Sequence, residues 1–386
     1  MNYSVTPTDR CDFAVIGAGL SGLMLTRALL ENKATAGARI LLVDKSFTDY
    51  PPRTWCFWEK GEGMYEDLVE QRWSAAEFFQ GSRQLTINLE PYQYKMICGL
   101  RFRQETMEWI KRHPNVTLQQ TSVESLHPMR DFVWVNTAKE NFKASMVFDS
   151  RYDWQALEKH RGLVLYQQFA GWFVQSETPV FDAQVARLMD FRMEQKEAVA
   201  FCYVLPTDAH NALVEYTLFT PQLQPQEKLE RSISEYLATR YKGAWMDIKS
   251  REKGVIPMTD LLPRQQHPSI IPIGMAGGCT KPSSGYTFLF AQQHTDAIIA
   301  ALNRGAVPEP FVSPARFRFF DRVFLRVLRG HPDKGAKILF DLFRQNLPEK
   351  VLDFMGNSSD LREEARIFAK MPWGVFVPAA VRELKY

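Results

Sequence analysis

Residues 12–45 read DFAVIGAGLSGLMLTRALLENKATAGARILLVDK, and no other stretch narrows the possible folds of this chain so far. Phe13 to Ile16 is a short apolar run of the kind that forms a buried parallel strand. The chain then turns through Gly17-Ala18-Gly19-Leu20-Ser21-Gly22 and continues at helical period through Leu23, Leu25, Ala28 and Leu29. A second apolar run, Ile40 to Val43, ends at Asp44 with Lys45 behind it. Strand, glycine turn, helix, strand and acid, in that order, make a dinucleotide-binding unit. Gly17 permits the tight turn, Gly19 lets the backbone approach a pyrophosphate, and Gly22 lets the helix pack close to the strand. The free N–H groups at the helix start face the phosphates, and Asp44 can accept from a ribose hydroxyl. A glycine-rich turn with no ligand is the alternative.

The chain has 386 residues, enough for two or three domains. Its 47 basic and 44 acidic residues leave a formal charge of +3, which argues against nucleic acid as the main partner. Cys11, Cys56, Cys98, Cys202 and Cys279 are scattered without a CxxC pair, so neither a disulfide framework nor a zinc site is expected, and a cytoplasmic setting fits. The histidines show no ligand spacing, and no metal is expected. The charged residues Arg10 and Asp12 precede an apolar run too short for a signal peptide, and no stretch is long enough to span a membrane. The 27 Phe, 13 Tyr and 9 Trp are read first as core packing; a large apolar cavity able to stabilise a cation is the functional reading.

Past the fingerprint, Arg53 to Gly63 (RTWCFWEKGEG) reads as an aromatic loop. A helix follows at about Phe102 to Lys111, then strands at Val116 to Leu118 and at Met146 to Phe148, just before Asp149-Ser150-Arg151. From Gly162 to about Ile256 the runs GLVLYQQFAGWFVQ, ARLMDFR, EAVAFCYVLP and NALVEYTLFT predict an inserted antiparallel sheet. An amphipathic helix there carries Leu229, Ile233, Tyr236 and Leu237 on one face. Ile270 to Ile273 then leads into a glycine loop, Pro282-Ser283-Ser284-Gly285, and a helix from about Tyr286 to Leu302. The fold expected is α/β: a Rossmann-like dinucleotide-binding domain with an inserted antiparallel β-sheet substrate domain and a helical C-terminal region. The expected boundaries are 1–80, 96–160 and 260–305 for the first, 81–95 and 161–259 for the second, and 306–386 for the third.

The two glycine loops together resemble the flavoprotein hydroxylase superfamily, in which a late G-D-x6-P-x-x-G segment closes over a flavin. Gly274, Pro282 and Gly285 keep that spacing, with Met275 in place of the aspartate. Within that superfamily, TWCFW, FDSR, YQQFAGW, MDFR, LVEYTLFT, GMAGGCTKPSSGYTF and NLPEKVLDFMGN are similar to segments of the lycopene β-cyclases of bacteria and plants. The resemblance implies FAD, active in its reduced anionic form with NAD(P)H as electron source. It also implies a carotenoid substrate and a non-redox reaction in which an acyclic ψ end is protonated, closes to a β-ionone ring and loses a proton. It places the protein in the cytoplasm, peripherally attached to the inner face of the cell membrane.

Residue by residue, the expected cofactor contacts are the fingerprint positions Gly17 to Gly22 with Asp44 and Lys45, and in the late loop Gly274, Gly277, Gly278, Pro282, Gly285 and Tyr286. Arg53 and Arg101 are read either as pyrophosphate contacts or as surface charges. The helix after Gly285 points its positive end at the late loop and favours an anionic flavin there. Glu215 shares a strand face with Leu213, Thr217 and Phe219; buried, it would have a raised pKa and could act as proton donor. A solvent-facing strand glutamate is the alternative, which the E-x-T match to the cyclases disfavours. Other readings are a flavin monooxygenase or dehydrogenase on an aromatic or isoprenoid substrate, and a non-catalytic flavin-binding protein. The helix Pro314 to Arg329 is expected at a bilayer, with Phe317, Phe320, Phe324 and Leu328 on one face among Arg316, Arg318, Arg322, Arg326 and Arg329; a core-facing helix is the alternative.

Overall fold

The computed structural model describes residues 10–384, so the first nine residues assigned above to the dinucleotide-binding domain lie outside the description, as do the last two of the helical region. In chain order, β1 (Arg10–Ile16), α1 (Leu20–Glu31) and β2 (Ile40–Asp44) form the expected strand–turn–helix–strand unit. β3 (Thr54–Lys60), β4 (Val69–Trp73), β5 (Ala75–Gln80), β6 (Arg83–Asn88) and β7 (Tyr92–Cys98) precede α2 (Gly99–Ile110). β8 (Val116–Gln120), β9 (Val123–Pro128), β10 (Val133–Thr137) and β11 (Asn141–Asp149) lead to α3 (Trp154–Lys159). β12 (Val164–Ser176), β13 (Val185–Asp190), β14 (Val199–Pro206) and β15 (Asn211–Thr220) run into α4 (Gln226–Arg240) and β16 (Met246–Thr259). After β17 (Ile270–Pro272) come α5 (Phe288–Asn303), α6 (Ala315–Gly330), α7 (Pro332–Gln345), α8 (Pro348–Met355), α9 (Leu361–Ala369) and α10 (Trp373–Glu383).

The first sheet runs β8-β2-β1-β11-β10-β9, with β17 beside the second half of β11; all but β9 and β10 are parallel. β1 and β2 have almost no exposed residue because α1 and α5 cover one face and side chains of β10 and β11 cover the other, which is why they read as unbroken apolar runs. The second sheet, β16-β12-β15-β14-β13-β5-β6, is antiparallel except for β13 beside β5. One of its faces carries α4; the other meets α6 and α7. It recruits β5 and β6, so the chain enters this sheet at Ala75, a few residues before the boundary expected at 80.

Residues 53–63 do not form the aromatic loop expected. Thr54 to Lys60 is β3, paired with β7 in a third, three-stranded sheet. Phe57 packs into the core of the dinucleotide unit, stacked on Phe288 at 4.2 Å, while Trp58 packs into the core of the second sheet. A strand wedged between two cores is apolar on both faces and loses the period-2 signature by which strands are read.

Candidate active site

The fingerprint turn is built as its residues require. Gly17 has φ +95°, and a Cβ on Gly22 would lie 1.8 Å from the Gly17 carbonyl oxygen, so only glycine lets α1 approach β1 this closely. Asp44 accepts from the Ala18 N–H at 2.6 Å, and Lys45 is exposed beside it. Leu20 is buried at the start of α1. The late loop folds back onto this turn: a Cβ on Gly274 would come within 2.8 Å of the Ser21 hydroxyl. Gly277 and Gly278 complete the bend before Cys279, whose N–H donates to the Gly274 carbonyl. Met275, Gly278 and Pro282 border a cleft of about 1030 Å³, shared with Asp149 and Arg151 at the end of β11. Gly285 abuts Gln167 of β12, so the late loop joins the two sheets, and α5 starts three residues further on.

Arg101 does not reach the fingerprint. It is exposed on α2, paired with Glu105 at 2.7 Å and donating to the Asp67 carbonyl. Two residues on, Arg103 is buried and spans the turn, donating to the carbonyls of Ala18 and Ser46. Its guanidinium lies 4.5 Å from the Tyr50 ring, and its Nε has no partner among the described residues. A buried guanidinium with an unsatisfied donor, a glycine turn and a helix N-terminus fit an anionic dinucleotide such as FAD. The helical spacing of Arg101 and Arg103 sets them on different sides of α2, and the choice between them depends on which side meets α1. The charge of Arg53 acts on the second carboxyl described next.

Glu215, half-buried, lies in one cross-strand row of the second sheet: Tyr203 of β14, Glu215 of β15, Gly171 of β12 and Glu252 of β16. The Thr217 hydroxyl donates to Glu215 Oε1 at 2.8 Å, and the Thr54 hydroxyl donates to Glu252 Oε2 at 2.8 Å. Burial, and secondarily the charge of Glu252, pushes the Glu215 carboxyl well above the usual carboxylate range. Burial raises Glu252 as well, opposed by the Thr54 hydrogen bond and the charge of Arg53. Tyr286, from the late loop, adjoins the phenols of Tyr94 and Tyr203, and the Trp58 ring meets it edge-on at 4.3 Å.

A cavity of about 400 Å³ runs from the C-terminal helices to this row. Phe320 and Phe324 of α6, Phe343 of α7, Phe354 of α8, Phe368 of α9 and Phe376 of α10 line its walls; Tyr203, Phe219 and Tyr286 close its inner end. Part of the aromatic content thus does frame an apolar cavity. The placement of α6 at a bilayer does not hold. Phe317 and Leu328 are buried, and Phe320 and Phe324 face the cavity. Three of its arginines are tied to buried glutamates: Arg316 pairs with Glu364 at 3.1 Å, Arg322 with Glu383 at 3.0 Å, and Arg326 with Glu383 too. Buried glutamates on α9 and α10 hold the side chains that the sequence offered to lipid.

The architecture is that of FAD-dependent monooxygenase-like flavoproteins. The flavin-dependent brominase Bmp2 superposes with a TM-score of 0.62 at 12% identity, over 94% of this chain and 98% of that one. A geranylgeranyl bacteriochlorophyll reductase-like protein from Thermoplasma acidophilum gives 0.59 at 11% identity, covering 98% and 99%. The halogenase PltM, solved with FAD, gives 0.56 at 12% identity, covering 94% and 86%. Within that class the chain belongs to the family described as lycopene cyclase protein, whose model matches residues 12–380. A curated relative, the lycopene beta-cyclase of Paracoccus sp. (strain N81106 / MBIC 01143), is 23% identical over 228 residues. That match spans 54% of this chain and 56% of the relative.

Proposed function

We propose that the protein is a lycopene β-cyclase-like enzyme that turns the acyclic ψ ends of a carotene into β-ionone rings, without net redox, as an intramolecular lyase or isomerase. The observation that carries this reading is an apolar, aromatic-lined cavity bordered by Tyr203, whose cross-strand neighbour Glu215 has its carboxyl pushed well above the usual range by burial. Its O–H bond breaks as a C–H bond forms at the terminal double bond of the substrate, which leaves a tertiary carbocation. The rings of Tyr203 and Tyr286, which line the cavity, offer aromatic surface to stabilise that charge. The ring closes as the next double bond attacks the cation, and a ring proton leaves to the carboxylate, restoring Glu215. Proton in and proton out balance, so no reductant is consumed per ring.

The fingerprint turn, Asp44, Arg103 and the late loop would hold FAD, kept reduced by NAD(P)H. When bound, the reduced flavin would supply negative charge able to stabilise a carbocation. Met275, standing where hydroxylases of this fold have an acid, supports the non-hydroxylating reading. The substrate lives in bilayers, so we place the enzyme peripherally on the cytoplasmic face of the cell membrane, touching it through α10 rather than α6. Expression in a lycopene-accumulating bacterium tests the function: cyclic carotenes of unchanged mass are expected. Unaltered lycopene, or products heavier by one oxygen, would overturn it in favour of no activity on this substrate or of monooxygenation.

A further inference from the structure

The second carboxyl in the row is unused by the chemistry above. Gly171 is its hinge: it pairs with Glu215 on one side and Glu252 on the other, and lacks the side chain that would stand between them. A Cβ there would lie 3.0 Å from Glu252 Cγ, 3.3 Å from its Oε1 and 3.1 Å from the Leu213 side chain. Each carboxyl has one oxygen engaged by a threonine hydroxyl, Thr217 for Glu215 and Thr54 for Glu252, and the two carboxyls are within hydrogen-bonding reach of one another. Around them, Cys56 on β3, Cys202 and Tyr203 on β14 and Tyr286 in the late loop have burial-raised ionisations and stay neutral near pH 7. Arg53 is the cation beside Glu252.

We infer that Glu252 is a positioning residue that shares one proton with Glu215 across Gly171, the proton residing on Glu215 and the negative charge on Glu252. Two carboxylates this close in a buried row do not both ionise, and the asymmetry of their surroundings decides which one does. Arg53 and the Thr54 hydroxyl favour the anion on Glu252; nothing cationic among the described residues faces Glu215. The arrangement keeps Glu215 protonated until an alkene reaches it. As the proton moves to carbon, the pair goes from one negative charge to two against the one positive charge formed on the substrate. Return of the ring proton restores the starting charge. This deepens the proposed function and rests on it for the substrate, but the shared proton is a property of the resting protein.

Two measurements test it. Infrared titration of the protein without substrate reads the proton directly. A protonated-carboxyl band present at neutral pH should disappear in Glu215→Gln and titrate at lower pH in Glu252→Gln. With carotene in liposomes, cyclisation needs protonated Glu215, so the rate falls as pH rises through its pKa. Removing the neighbouring charge lowers that pKa, so Glu252→Gln should move the alkaline limb to lower pH by about one unit or more. Glu252→Asp, which keeps the charge, should restore the wild-type limb. Absence of a neutral-pH band that depends on Glu215, or an unshifted titration in Glu252→Gln, overturns the inference. Should Glu252→Gln fail to fold, the band in the wild type and its loss in Glu215→Gln still decide. A band that behaves as stated in a protein inactive on carotenes would leave the shared proton standing and remove only the substrate assignment.

Discussion

Glu215 shows how far one side chain depends on its neighbours. A glutamate on an alternating strand is ordinary; one set in register between Tyr203 and Gly171 has its ionisation pushed well above the usual carboxylate range by burial and the Glu252 charge, against the pull of the Thr217 hydroxyl. Glu215→Gln keeps the shape and removes the proton. Cyclisation should drop on the order of a hundredfold or more, the scale of a lost general acid, with flavin content unchanged. Turnover of reduced holoenzyme, normalised to bound flavin, measures this; near wild-type turnover would make the carboxyl a bystander. At the other end of the site, a Cβ on Gly19 would meet only the Tyr50 hydroxyl, at 3.7 Å, and its φ of −83° is open to any residue. Gly19→Val should therefore fold with the melting temperature of flavin-free wild type yet purify colourless, because its branches fill the pyrophosphate approach. A yellow protein of normal absorbance ratio would contradict the cofactor assignment.

Among the helices, α6 and α10 divide the labour differently from what their sequences suggest. α6 has the stronger amphipathic pattern, but its apolar face belongs to the cavity. α10 packs Val375 and Ala379 against α6 and leaves Trp373, Val377, Val381 and Leu384 outward, with exposure running from 48% at Val381 to 75% at Leu384. Trp373 and Val377 also border the cavity, so a carotene could pass there from a bilayer without crossing water. The double substitution Trp373→Ser, Leu384→Ser should cut flotation with anionic liposomes severalfold, whereas Phe324→Ala should slow turnover and float normally. The reverse pattern would return the membrane contact to α6.

At the scale of the molecule, buried polar contacts join parts distant in sequence. Lys281 of the late loop pairs with Asp321 of α6 at 2.9 Å, and Asp190 of the MDFR segment, paired with its near neighbour Arg192 at 2.5 Å, accepts from the Tyr236 hydroxyl of α4 at 2.8 Å. Burial alone would raise Asp190, but the hydrogen bonds of Arg192 and Tyr236 and the Arg192 charge prevail and hold it below its ordinary range. A depressed carboxylate adds stability above the unfolded aspartate value of about 4 and loses it as pH falls through the lower folded value. Acid should therefore loosen the second sheet, and Asp190→Asn should be less stable at neutral pH but lose less on acidification. Denaturant midpoints between neutral and acid pH would show this; parallel curves would contradict it.

The dinucleotide unit was legible from residues alone because each step of it, the turn at Gly17, the close packing at Gly22 and the acid ending β2, is a local backbone requirement only certain residues meet. The strands of the second sheet were legible as short-range periodicity, whereas Glu215 stood out only through the resemblance of its E-x-T segment to the cyclases. Which residues meet across space was not. Arg103 rather than Arg101 spans the turn because of the side α2 turns to α1; Glu252 meets Glu215 because two strands pair to the same glycine; α6 faces inward because Glu364 and Glu383 neutralise its arginines. Those outcomes depend on register and packing between segments tens to hundreds of residues apart, which periodicity within one segment does not encode and the tertiary fold alone decides.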